Sequence, residues 1–187
     1  MYDRVLSWSR HRNAPWYLAG LSVAEATFFP VPPDVMLAPM VLARRDRAWM
    51  LALLTTLASV AGGVIGYLIG WLGLELVLPL METLGYIEPY ERAVVAFREY
   101  GIWFVIVVGF TPIPFKLITI AAGALLMPLP VFILGSLIGR AARFFLVAGL
   151  IWSGGERMAE RLRECVDAIG WAVVGLAALA GLIYVVR

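Results

Sequence analysis

Long, predominantly apolar stretches separated by polar intervals dominate the pattern of the chain. The apolar stretches cover residues 14–43, 49–72, 102–127, 129–152 and 170–186, whereas the intervals at 82–100 and 156–168 carry clusters of charge. A helix needs about 20 apolar residues to cross the hydrocarbon core of a bilayer. The pattern therefore predicts an all-α integral membrane protein with a single membrane domain over residues 1–187.

The stretch 14–43 and the run 102–137, which is apolar apart from Lys116, are each too long for one span, and each contains a proline-rich break. The breaks read Phe29-Pro30-Val31-Pro32-Pro33-Asp34 and Thr111-Pro112-Ile113-Pro114-Phe115-Lys116, so that alignment pairs Pro30 with Pro112, Pro32 with Pro114 and Asp34 with Lys116. Proline ends or kinks a helix because it lacks an N–H donor and its ring clashes with the preceding turn. We therefore predict that 14–43 and 102–127 are re-entrant hairpins. For 14–43, a surface-lying or fully spanning segment is the alternative.

Basic residues at both ends of the first hairpin set the predicted orientation. Arg10, His11 and Arg12 precede this hairpin, and Arg44, Arg45 and Arg47 follow it. Clustered arginines favour the cytoplasmic side of a membrane, so both ends should lie inside. The stretch 49–72 then crosses outward, 102–127 enters from the outside, and 129–152 returns. Each half is thus a re-entrant hairpin followed by a transmembrane helix, an inverted repeat that is typical of transporters with a site near the midplane.

Three further segments complete the predicted topology. The polar interval 82–100 is predicted to be an outer interfacial helix, and 156–168 a cytoplasmic amphipathic helix with its apolar residues at helical spacing. The stretch 170–186 is predicted to be a C-terminal transmembrane helix, with the side of the C-terminus left open.

A glycine series marks one face of the first spanning helix. Gly62, Gly66 and Gly70 recur every four residues, and small residues at this spacing let a neighbouring backbone approach closely. We interpret these glycines as helix-packing positions rather than ligand contacts. The face can pack within one chain or between copies, so a homo-oligomer stays open.

Composition excludes several function classes. Hydrophobic residues make up 62% of the chain and charged residues 15%, which is far from the composition of a soluble domain. A single Cys and a single His leave no metal-binding cluster and no intrachain disulfide. The net charge of +2 comes from arginines dispersed around apolar stretches rather than from one basic face, which argues against nucleic acid. We predict no metal, no other cofactor and a membrane lipid as the partner.

Five ionisable residues fall inside the apolar stretches and are the candidate site. They are Glu25, Asp34, Lys116, Arg140 and Arg143. Each charge at the centre of a membrane helix costs about 2.5 to 3.5 kcal/mol, so these groups must pair, bind protons or meet water. We assign the three basic residues to binding an anionic headgroup, because a guanidinium binds phosphate through two hydrogen bonds.

Glu25 and Asp34 are assigned to proton coupling, since a buried carboxylate binds a proton more readily than one in water. The alternative is that the five charges form packing ion pairs in a structural or assembly factor. An intramembrane hydrolase is less favoured, because Ser22, Thr27 and Thr111 have no nearby His to activate them. We therefore predict that the chain is not an enzyme.

At these residues the chain resembles the DedA family of the VTT-domain (SNARE-associated) superfamily, most closely its YqaA-like branch. The resemblance is carried by Ala24-Glu25, by both proline breaks, by the glycine-rich span and by Gly139-Arg140-Ala141-Ala142-Arg143-Phe144-Phe145. It implies two opposed re-entrant hairpins in the bacterial inner membrane. It also implies movement of polyprenyl phosphate or phospholipid between leaflets by a flippase or scramblase, with proton dependence in some members.

The match to the family motifs is not complete. Glu25 and Asp34 match the acidic pair of the family in kind, at a shorter spacing. The second-hairpin motif usually carries an Arg on each side of a proline, whereas here only Lys116 fills the later position. Arg140 or Arg143 is the candidate to compensate.

Overall fold

A computed structural model of the protein describes residues 13–27, 32–84, 87–111 and 114–155. Within these ranges the chain forms six α-helices and no strand. The helices are α1 (Ala14–Thr27), α2 (Asp34–Ala43), α3 (Ala48–Leu84), α4 (Ile87–Phe110), α5 (Phe115–Ala124) and α6 (Leu129–Gly155), with a 3-10 turn at Arg45–Arg47 before α3. The described fold is therefore all-α.

Two helical stretches in the described part of the chain are long and apolar enough to cross a membrane, Arg45–Leu76 and Leu129–Gly155. The surface of the helices agrees with an apolar surrounding, since large side chains such as Trp16, Leu76 and Trp103 are exposed, at 75%, 84% and 65%. Soluble monomers rarely expose large contiguous apolar patches. The helices thus combine the length and the outer surface that a membrane requires.

Helices α3 and α4 are longer than the segments that the polarity pattern delimits. Helix α3 continues past residue 72 to Leu84, and α4 runs through the boundary between 82–100 and 102–127. Polar residues alone do not end a helix, and the charged residues just before the predicted boundary, Arg98 and Glu99, are good helix formers. The interfacial position of 82–100 stays a prediction. Pro30, Pro112 and the predicted helices at 156–168 and 170–186 lie outside the described residues.

Two buried apolar clusters organise the packing. The first combines the start of α1, the end of α2, the start of α3 and the end of α6. The second combines the end of α1 with the middle of α3, with α4 and α5 and with the start of α6. Helices α3 and α6 therefore run antiparallel, and the first residues of α1 lie at the same end of the molecule as the last residues of α2.

The glycine face of α3 brings α1 and α5 into close contact with it. A Cβ atom on Gly62 would overlap the carbonyl oxygen of Val23 in α1, and one on Gly70 would overlap the carbonyl oxygen of Ile120 in α5. On the opposing side of the second contact, a Cβ on Gly123 would overlap the carbonyl oxygen of Tyr67. Helix α3 is thus the element against which both segments with a proline-rich break pack, 14–43 through α1 and 102–127 through α5.

Two tyrosine hydroxyls hold the turn between α5 and α6. Tyr67 donates a hydrogen bond of 2.6 Å to the carbonyl oxygen of Met127, and Tyr90 donates one of 2.7 Å to that of Ala124. Between these acceptors Leu126 has a φ of 54°, a left-handed conformation that is unfavourable for a branched side chain. The hydrogen bonds help to hold the backbone in this conformation.

Tyr67→Phe is expected to lower the free energy of unfolding by about 1–2 kcal/mol, because the carbonyl oxygen of Met127 loses its partner in a buried environment. Thermal denaturation of the purified protein in detergent measures the effect. Tyr100→Phe is the control, since its side chain is 54% exposed. Identical melting temperatures for the two variants would show that the hydrogen bond does not stabilise the turn.

Candidate functional site

Four buried charged side chains form two ion pairs in the interior. Glu25 of α1 pairs with Arg140 of α6, and Asp34 of α2 pairs with Arg143 of the same helix. In both pairs the Nη2 group of the arginine donates to a carboxylate oxygen. The exposed fraction of the side chains is only 2% for Arg140 and 9% for Glu25. The interior of the bundle thus holds two cations and two anions.

Local sequence explains why these side chains converge. Arg140 and Arg143 are three residues apart in α6 and therefore share one helical face. Glu25 lies near the C-terminal end of α1, and Asp34 lies in the first turn of α2, where the helix dipole favours a carboxylate. The two acids flank the first proline break, and α6 presents its arginines to both.

Each arginine also contacts the segment that contains the second break. Arg143 donates through Nη1 to the carbonyl oxygen of Thr111, which directly follows the last residue of α4. The guanidinium carbon of Arg140 lies 4.2 Å from the centre of the Phe115 ring, at the start of α5. Cation–π contacts of this kind add attraction where water is excluded. The two arginines therefore join the two broken segments to each other.

The charges lie between the two apolar clusters. Phe144, whose ring centre is 5.3 Å from the guanidinium carbon of Arg140, belongs to the first cluster, and Phe115 belongs to the second. Within the described residues, Oδ1 of Asp34 and Nε of Arg140 are buried without a hydrogen-bond partner. Each pair therefore includes one buried polar atom without a hydrogen-bond partner among the described residues.

The remaining predicted site residues lie around these pairs. Lys116 is partly buried in the first turn of α5, directly after Phe115. Pro33 precedes Asp34 at the start of α2, and Pro114 precedes Phe115 at the start of α5. Within the described residues, no group of three or more His, Cys, Asp and Glu side chains is arranged to hold a metal ion.

Two contacts of the site were missed by sequence reasoning. One is the ring of Phe115, for which the only signal is an aromatic residue beside the break. The other is the carbonyl oxygen of Thr111. Because a proline follows Thr111 and the last carbonyls of a helix have no partner within it, this acceptor could have been inferred from the sequence.

Comparison with known proteins places the chain in a family. A family profile described as the VTT domain matches residues 31–153. An uncharacterized protein of Haemophilus influenzae is 43% identical over 180 residues, which cover 96% of this chain and 94% of the relative. A homologue from Histophilus somni is 40% identical over 183 residues, covering 98% and 96% of the two chains. No solved structure matches the chain.

The chain therefore belongs to the VTT domain family, and its resemblance to the DedA proteins is confirmed. An uncharacterized protein of Methanocaldococcus jannaschii is more distant, at 29% identity over 133 residues, which cover 70% of this chain and 78% of the relative. The family match includes Asp34, Lys116, Arg140 and Arg143, whereas Glu25 precedes it.

Proposed function

We propose that this protein moves an anionic lipid, a polyprenyl phosphate or a phospholipid, between the leaflets of the bacterial inner membrane. The observation that supports this most directly is that Arg140 and Arg143 each contact both segments with a proline-rich break, 14–43 and 102–127. Charges deep in an apolar bundle mark substrate and ion pathways in membrane proteins. The proposed substrate class follows from the two guanidinium groups, which bind phosphate oxygens well.

The proposed topology is an inverted repeat of two re-entrant hairpins. Helices α2 and α5 have 10 residues each, so each is about 15 Å long and reaches halfway across a core of about 30 Å. The common cluster of the start of α1 and the end of α2 supports a segment that returns to the side from which it entered. The two breaks then meet near the midplane, where α6 carries its arginines.

In the proposed mechanism an anionic headgroup competes with the carboxylates for the arginines. Protonation of Asp34 converts its carboxylate into a neutral acid and weakens its attraction for Arg143, which becomes available to a phosphate. Glu25 and Arg140 act in the same way. Lys116 contributes a further positive charge from the second hairpin. Departure of the headgroup restores the ion pairs as the protons leave, so lipid and protons move together.

Lipid transfer in proteoliposomes tests this proposal. Fluorescent phospholipid and polyprenyl phosphate are offered separately, with and without a pH gradient. Asp34→Asn is expected to reduce transfer to the level of empty liposomes, because without the carboxylate the ion pair with Arg143 cannot form again and the headgroup is not released. Glu75→Gln is the matched control, since it removes a carboxylate from an exposed position of α3 and should transfer lipid like the wild type. Wild-type transfer by folded Asp34→Asn protein would refute the proposal.

A second candidate function is that of a structural or assembly factor of the membrane. The observation that favours it is the direct pairing of each carboxylate with an arginine, which by itself would hold α1 and α2 against α6. A pair with only this role can be exchanged for apolar residues of similar volume without loss of the fold. The two candidates therefore differ in whether a folded protein without the charges keeps its activity.

A further inference from the structure

Two serines in the spanning helices differ from the other helical hydroxyl residues. Ser59 of α3 and Ser136 of α6 are fully buried, and their Oγ atoms have no hydrogen-bond partner within the described residues. A serine or threonine in an apolar helix usually donates to the carbonyl oxygen four residues earlier. Six hydroxyl residues of the described helices do so, namely Ser22, Thr27, Thr55, Thr56, Thr83 and Ser153.

The register of the helices places the two serines opposite each other. A Cβ atom on Gly63 would lie 3.5 Å from Cζ of Phe132, so these positions face one another across α3 and α6. The helices run antiparallel. Ser59 lies one turn before Gly63, and Ser136 lies one turn after Phe132, so both serines lie at the next level of the same interface.

A third buried polar atom without a partner belongs to a residue one turn further along α6. Arg140 follows Ser136 by one turn on the same face of α6, and its Nε atom is buried without a partner, while Nη2 donates to Glu25. Phe132 occupies the interface one turn away on the other side of Ser136. Ser136 thus lies between a large ring and a large guanidinium group along α6, and the helix register places Ser59 on the facing side, so that three buried hydrogen-bonding groups without a partner occupy neighbouring positions of one interface.

We propose that Ser59, Ser136 and Nε of Arg140 bind an internal water molecule between α3 and α6. A buried water typically makes about three hydrogen bonds, and this site offers three partners. The water oxygen accepts a hydrogen bond from the Nε–H group of Arg140. The water also forms one hydrogen bond with each serine hydroxyl, and in each of these bonds either partner can be the donor. A phosphoryl oxygen of a lipid offers the same acceptor chemistry, but the burial of all three groups favours the smaller ligand.

The site adds a function to the ion pair of Glu25 and Arg140. A water bound to Arg140 supplies a mobile proton donor and acceptor beside the buried carboxylate of Glu25. If the proposed transport is correct, this water forms part of the route by which protons reach Glu25. The existence of the site itself does not depend on that activity.

Whether the serine substitutions raise or lower the melting temperature tests the water site without a transport assay. Ser59→Ala and Ser136→Ala are each expected to lower the melting temperature by about 2–4 °C, because each removes a hydrogen bond to the water. In a dry interface the same substitutions remove an unsatisfied polar atom and raise the melting temperature. Ser22→Ala is the control, since its hydroxyl donates to the carbonyl oxygen of Leu18 in its own helix. A rise in both serine variants relative to this control would overturn the proposal.

Radiolytic labelling supplies an independent measurement. Hydroxyl radicals formed from a bound water label nearby side chains, so delipidated wild-type protein should be labelled at Phe132, which is fully buried. Met40, 2% exposed in the other cluster, is chemically more reactive and serves as the dry control. The double variant Ser59→Ala/Ser136→Ala should lose the label at Phe132. Absence of the label at Phe132 in the wild type would refute a bound water. A bound water would also be refuted if the serine variants were less stable than the wild type only after a short-chain phosphatidic acid is added.

Discussion

Arg140→Gln is expected to destabilise the protein by about 3–5 kcal/mol, because it leaves Glu25 buried without its partner. The contact of the guanidinium with Phe115 is lost as well. Chemical denaturation in mixed micelles measures the free energy of unfolding. Arg92→Gln is the matched control, since its pair with Glu88 is exposed on both sides and should change stability by less than about 0.5 kcal/mol.

The double variant Glu25→Leu/Arg140→Met separates the two candidate functions. Both charges are removed at similar volume, so we expect most of the lost stability to return. The proposed transport also predicts that this folded variant transfers no lipid in proteoliposomes. Wild-type transfer by the double variant would instead assign a packing role to the pair. Failure of the double variant to regain stability would show that Glu25 is not the main partner of Arg140.

Gly123→Ala is expected to reduce stability by about 3 kcal/mol or more. The added Cβ would overlap the carbonyl oxygen of Tyr67 and lie 2.8 Å from the backbone nitrogen of Trp71. Both are backbone atoms of α3, so the clash can be relieved only by moving one helix away from the other. The melting temperature and the yield of folded protein in detergent report the change.

Gly73→Ala is the control for this substitution. It also lies in α3, but no heavy atom lies within 4 Å of its added Cβ. Alanine is the better helix former, so this variant should gain about 0.5–1 kcal/mol. Equal stability of the Gly123 and Gly73 variants would contradict the close approach of α3 and α5.

The charged residues that meet in the interior could be predicted from the sequence, but their pairing could not. The high cost of a charge in an apolar stretch was enough to single out Glu25, Asp34, Arg140 and Arg143. Spacing within one helix also showed that the two arginines share a face. Which helix lies opposite that face depends on tertiary packing, so the alignment of the two breaks drew attention to Asp34 and Lys116, whereas the structure pairs Asp34 with Arg143.

The boundaries of the helices could also be predicted only in part. Pro33 and Pro114 directly precede the first residues of α2 and α5, whereas Pro39 and Pro79 lie inside α2 and α3, so a proline does not always mark a helix end. The ends predicted from polarity at residues 72 and 100 fall inside α3 and α4. Charged residues such as Glu82 and Arg98 are good helix formers. A helix can therefore continue where the sequence changes from apolar to polar.

The family match begins at residue 31, after the whole of α1. Yet α1 supplies Glu25, the partner of Arg140, and fills the glycine face of α3 at Gly62. A fragment limited to 31–153 would keep a buried guanidinium without its carboxylate and an open groove along its longest helix. The contacts that complete the ion pair and cover the glycine face therefore extend beyond the segment that the family profile matches.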